Sequence, residues 1–194
     1  MKLITIIARH VLCASLVMFG ALIQQVQAKP VVGLIPGESI YGLRMSISTA
    51  EKDEAGFPKF QVTFRNTGGE DAVLNLGEIG GSEPHINLNF SLIVSDAFGK
   101  TRKFEFKGPM YVAGRLEPYL VYVKARSTYS LEVNMGQFWS PETYEYELKL
   151  TPGKYQVALE FVGRSPRRSV PAGKSSVKNI WLGQLTSNTL AIER

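Results

Sequence analysis

The feature that most constrains this chain is the spacing of its apolar residues, which is two almost everywhere. In "LRMSIS", Leu43, Met45 and Ile47 fall on one face and Arg44, Ser46 and Ser48 on the other. "FQVTFRN" repeats the pattern with Phe60, Val62 and Phe64. "NLNFSLIVS" is the longest run, with Leu88, Phe90, Leu92 and Val94 in phase. Phe104 and Phe106 follow, then Leu131, Val133 and Met135, and the series closes on Tyr155, Val157, Leu159 and Phe161. Alternation of this kind puts one face on a core and the other in water, which is the habit of antiparallel sheets. No window beyond the first 28 residues offers a helical stripe with caps.

The breaks between these runs carry turn chemistry: "NTGGED" at 66–71, "GEIGGSEP" at 77–84, "DAFGK" at 96–100 and "SPET" at 140–143. Glycine supplies positive φ in such places, and Asn or Asp bonds back to its own backbone. "SDAFGK" predicts a hairpin with Gly99 at the left-handed position. In "LKLTPGKYQVALEF", Pro152 and Gly153 precede Tyr155 at the head of a well-alternated strand. That order predicts a tyrosine corner, in which the phenol bonds to backbone a few residues upstream and pins a crossover between sheets. The alternative is an ordinary hairpin with Tyr155 as a core aromatic. The expectation is an all-β, antiparallel β-sandwich of roughly eight or nine strands.

Residues 1–28 have a different character. Lys2, Arg9 and His10 make a basic start, an apolar run covers Val11 to Ile23, and "QQVQA" places Val26 and Ala28 at the small-residue positions of a cleavage site. This reads as a secretory signal peptide cleaved after Ala28, leaving 29–194 as a single domain. The apolar run is shorter than the roughly 20 residues a spanning helix needs, and no later segment approaches that length, so the mature chain has no membrane span. Cleavage removes the only cysteine, Cys13, and lowers the formal net charge from +5 to 20 − 17 = +3. A thiol-free exported chain must be held by its core. Its mild charge does not make it a nucleic-acid binder.

The pieces "FRNTGGEDAVLNLG", "FSLIVSDAFGK", "LTPGKYQVALEF" and "WLGQLTSNTLAI" resemble bacterial exported immunoglobulin-like β-sandwich domains, and together span most of residues 60–192. Their order also resembles the BsuPI-type intracellular proteinase inhibitor domain. That pattern has a tryptophan soon after the Asp–Gly hairpin, where this chain has "KTRKFEF". The first resemblance implies a fold and no activity.

Catalytic signatures are missing. With Cys13 gone, nucleophilic chemistry would fall to a hydroxyl beside His85, the single histidine of the mature chain, which follows Pro84 at a strand start. One His and no Cys do not make a zinc site. Glu51, Asp53 and Glu54 read as a charged turn, and Glu145 and Glu147 as one solvated strand face. "AGKSS" lacks the first glycine of a phosphate-binding loop, because residue 168 is Arg. Asn89-Phe90-Ser91 is a formal glycosylation sequon placed within a strand. The chain is expected to act without catalysis and without a cofactor or metal.

One stretch stands above this background. "GRSPRRSVPAGKSSVK", 163–178, carries Arg164, Arg167, Arg168, Lys174 and Lys178 with no acid, and joins the last two strand regions. Loops at the end of a sandwich often serve as binding surfaces, so these five residues are the candidate contacts for a protein partner; a basic loop suits an acidic partner, a polyanionic glycan or lipid headgroups. A solvated, solubilising connection is the competing account. Trp139 and Trp181 form a rival surface for stacking on a glycan, against the demand of the core for aromatic area. The expected function is a non-catalytic binding module, periplasmic or secreted, with a proteinase inhibitor and a carbohydrate-binding module as alternatives.

Overall fold

The computed structural model describes residues 37, 39–80, 85–106, 116–143, 148–166 and 178–194. Residues 1–28, read as a signal peptide, lie outside that set. Twelve strands are present among the described residues: β1 (Leu43–Lys52), β2 (Pro58–Asn66), β3 (Ala72–Gly80), β4 (His85–Leu88), β5 (Phe90–Asp96), β6 (Thr101–Phe106), β7 (Leu116–Val123), β8 (Thr128–Asn134), β9 (Phe138–Trp139), β10 (Lys154–Val162), β11 (Gln184–Thr186) and β12 (Leu190–Glu193). Every strand pairing is antiparallel. A single 3₁₀ turn, Met135–Gln137, is the only helical segment among the described residues. No helix there is long and apolar enough to cross a membrane.

The strands form three sheets, ordered β1-β2-β8, β11-β10-β5-β6-β9 and β4-β3-β7, with β12 also on β10. The alternating residues of the first two sheets meet in one core. Leu43, Met45, Ile47, Phe60, Val62 and Phe64 from β1 and β2 face Phe90, Leu92, Val157, Leu159 and Phe161 from β5 and β10. Phe64 lies 5.0 Å edge-on from Phe161 and 6.1 Å from Phe90, so the rings interlock across the layers. Each such side chain contributes about 1.5–3 kcal/mol by leaving water. Leu74 and Leu76 of β3 and Val121 and Val123 of β7 join the same cluster.

Two side-chain contacts tie the sheets at their margins. Asn188, between β11 and β12, bonds both backbone groups of Ile47: its Oδ1 accepts from the Ile47 N–H at 2.8 Å and its Nδ2 donates to the Ile47 carbonyl at 3.0 Å. The amide thus stands in for a neighbouring strand on the outer edge of β1. Tyr119 of β7 and Tyr129 of β8 share a 3.0 Å bond between their hydroxyls. Burial, with that bond adding to it, pushes the Tyr129 phenol up to about 12.

Several local expectations differ from what is observed. The long run over 87–95 is not one strand: it switches sheets at Asn89. There the Asn89 Nδ2 donates to the Asn75 carbonyl at 2.9 Å and its N–H to the Leu76 carbonyl at 2.8 Å, so β4 pairs with β3 while β5 pairs with β10. The stretch from Gly77 to Gly80, expected as turn, continues β3 past a register shift between Asn75 and Glu78. β7 had no clear signal, since Pro118 and the continuous run from Tyr119 to Val123 obscure its alternation. The terminal strand is divided into β11 and β12, both paired with β10. The hairpin at 96–100 is as expected, with Gly99 at φ 80° and the Asp96 carboxylate accepting from the N–H groups of Phe98 and Lys100.

Candidate functional site

The basic connection leaves β10 and returns toward β11, and both of its ends are fastened to β3. On departure, the Arg164 carbonyl accepts a 3.1 Å bond from Nδ2 of the buried Asn75. On return, the Val73 N–H donates to the Asn179 carbonyl at 3.0 Å and the Trp181 N–H to the Val73 carbonyl at 2.9 Å. The pairing of Val73 with Ile180 is parallel, the one such bridge among the described residues. The described ends of the segment are therefore held by two residues of one strand, Asn75 and Val73.

Of the five candidate contacts, Arg164 and Lys178 stand exposed at the two ends of that segment. Arg167, Arg168 and Lys174 lie outside the described residues.

Trp181, expected either as a sugar-stacking residue or as core, is packed in the core. Its side chain is 6% exposed and stacks on Phe161 at 6.0 Å, while its Nε1 donates to the Ile40 carbonyl at 3.1 Å. Gly163 and Gly183, joined by a 2.8 Å backbone bond, lie against the indole. A Cβ on Gly163 would come within 2.5 Å of Trp181 Cε3, and one on Gly183 within 2.8 Å of Cη2. The ring is core, and it needs two glycines to sit there. Trp139 is half-buried in β9 opposite Glu105 of β6. Glu145 and Glu147 lie outside the described residues, as does the side chain of His85.

Beside the root of the basic segment is an open groove of about 590 Å³. Its lining comes from the turn before β1 (Tyr41, Gly42), the β2–β3 connection (Asn66 and 68–72) and the returning stretch 179–182. Asn66 organises the middle piece. It is buried, its Nδ2 donates to the carbonyls of Glu70 and Val123, and its Oδ1 accepts from the Gly68 N–H. Asp71 Oδ1 accepts from the Ala125 N–H at 2.8 Å. Glu70 and Asp71 are the only charged residues of the lining among the described residues. Sequence reading passed over this place because its residues come from three separate segments. The available signal was "IYGL" at 40–43, a two-residue turn between apolar positions.

No three His, Cys, Asp or Glu side chains converge among the described residues in a way that would hold a metal ion. No family model matches the chain, and no curated protein does. Among solved structures it is similar to one described as the X-ray structure of Northeast Structural Genomics Consortium target SoR45, at 12% identity over 80% of this chain and 89% of that one, with a TM-score of 0.37. So distant a likeness adds nothing to the architecture described above.

Proposed function

We propose that this chain is an exported immunoglobulin-like β-sandwich, cleaved after Ala28, that works as a binding module and not as an enzyme. Its partner is a protein presenting an acidic surface, met at the cell envelope or outside the cell by the 163–178 segment. The observation that carries this reading is the fastening of both ends of that segment to β3, at Asn75 and Val73. A loop whose ends are fixed loses less freedom on binding than a free chain, and its arginines and lysines would steer an acidic partner into place. The sandwich assignment draws support from the two sheets that share one core and from the Tyr155 bond to the Thr151 carbonyl, the contact of a tyrosine corner.

Joint replacement of Arg164, Arg167 and Arg168 by serine tests the reading. Capture of the partner should weaken and its dependence on salt should flatten. Capture that is unchanged by the triple replacement would remove this segment as the contact surface. Sequencing the N-terminus of the protein recovered outside the cytoplasm tests export separately, with Lys29 expected as the first residue.

A further inference from the structure

Tyr41 is costly to the fold and contributes little to it. Its φ is 48° and that of Gly42 is 78°, and reciprocal backbone bonds between Ile40 and Leu43 close the turn around them. This is a two-residue hairpin turn of the I′ kind, whose first central position favours Asn, Asp or Gly. A tyrosine there holds a Cβ and a large ring in the left-handed region, which L-residues avoid. The ring gains nothing from the core in return, being 83% exposed. Backbone outliers of this sort gather at binding sites, and the turn carrying Tyr41 forms one wall of the groove. On the returning stretch 179–182, which also lines the groove, Leu182 is 53% exposed, the other large apolar side chain left bare at this place.

The charge of the groove says what it would accept. Glu70 and Asp71 line it, and neither carboxylate is in an ion pair among the described residues, where the pairs are Lys59 with Glu132 and Lys103 with Glu160. No Lys, Arg or His of the described residues lines it. Lys124 and Arg126, either side of the Ala125 that bonds Asp71, are exposed and outside the lining. An exposed aromatic residue sharing a groove with two carboxylates that are in no ion pair among the described residues suits a cation: the ring attracts it through its quadrupole and the carboxylates supply the counter-charge. An aliphatic stem would lie along Leu182, as the stems of Lys and Arg do on apolar surface.

We propose that this groove binds a lysine or arginine side chain carried on an extended segment of a partner protein. The site is opposite in sign to the basic segment and does not depend on it, so the two stand or fall separately. A neutral sugar would gain nothing from the charge of the two carboxylates, and an acidic peptide would be repelled.

The test is a titration of the isotopically labelled protein with tetra-arginine amide, followed by amide chemical shifts, with tetra-glutamate amide and a neutral oligosaccharide in parallel. Saturable shifts at Gly42, Gly69, Glu70, Asp71 and Leu182 are expected with tetra-arginine alone. They should weaken with added salt. Glu70→Gln, which removes a charge without removing any side-chain bond, should reduce the affinity several-fold. Tyr41→Asn should reduce it about two- to fivefold and at the same time raise the melting temperature, because asparagine suits the turn. Absence of saturable shifts, shifts centred elsewhere, or the same shifts with the oligosaccharide would each overturn the proposal. So would a Tyr41→Asn protein that melts lower than the parent, since Tyr41 would then be serving the fold.

Discussion

The Tyr155 hydroxyl donates a 2.8 Å hydrogen bond to the carbonyl of Thr151, four residues upstream, and lies 3.0 Å from the Thr151 Oγ1. Between them Pro152 and Gly153 turn the chain into β10. The reciprocal backbone bonds of Gly153 with Arg194 hold the turn from its other side. Tyr155→Phe keeps the buried ring and removes only the hydroxyl. It should lower stability by about 1 kcal/mol, equivalent to roughly 2–4 °C in melting temperature for a domain of this size. Equilibrium denaturation measures it, and an unchanged midpoint would mean that the corner contributes nothing.

The contact of Trp181 with Gly183 makes a sharper prediction. Gly183→Ala places a methyl group 2.8 Å from the indole, so either the ring or the β10–β11 end must move. Overpacking of this kind costs about 1–3 kcal/mol. In a Trp139→Phe background, where Trp181 alone reports, its fluorescence should shift toward the red as the ring gains water. Parental emission together with parental stability would contradict the packing described.

Asn188→Ala should remove both bonds to Ile47 and leave the outer edge of β1 open at that residue. The loss is expected to be about 1–3 kcal/mol, because a backbone pair loses its partner. Hydrogen exchange gives the local readout: the Ile47 amide should lose protection, while amides bonded between β5 and β10 change only with global stability.

Legibility in the sequence followed from how local each contact is. The faces of β2, β5 and β10 could be read directly, because alternation is a property of the strand itself. The corner at Tyr155 was also readable, since its donor and acceptor are four residues apart. The sheet switch at Asn89 was not. It depends on Asn75 and Leu76 presenting carbonyls from another strand, and nothing in "NLNFS" marks that. The packing of Trp181 could not be read for a related reason: the glycines that accommodate it look in isolation like loop residues. The groove carrying Tyr41, Asp71 and Leu182 was hidden for the same cause, while the ends of the basic segment were visible as a charge pattern and their fastening to β3 was not.

Asp53 sets an expectation for acid. A side-chain bond from Asn134 is the main cause holding its carboxyl below the usual value of 3.8, with the Phe57 N–H at 2.7 Å adding to it. A depressed pKa contributes stability that is present above the unfolded-state value and is lost as pH falls through the folded-state value. Asp53→Asn should therefore flatten the acid limb of the stability curve below about pH 4. Parallel acid limbs in the two proteins would show that this carboxylate does not contribute.

The measurement closest to the central claim is affinity capture with the purified protein and its Arg164, Arg167 and Arg168 triple serine variant side by side. Each is immobilised, exposed to envelope and culture extracts at low salt, and eluted with a salt gradient. The account predicts a protein retained by the parent and released at a defined salt concentration, and lost or released much earlier from the variant. Clean flow-through from the parent, or identical elution from both, would contradict a charge-driven binding role for the 163–178 segment.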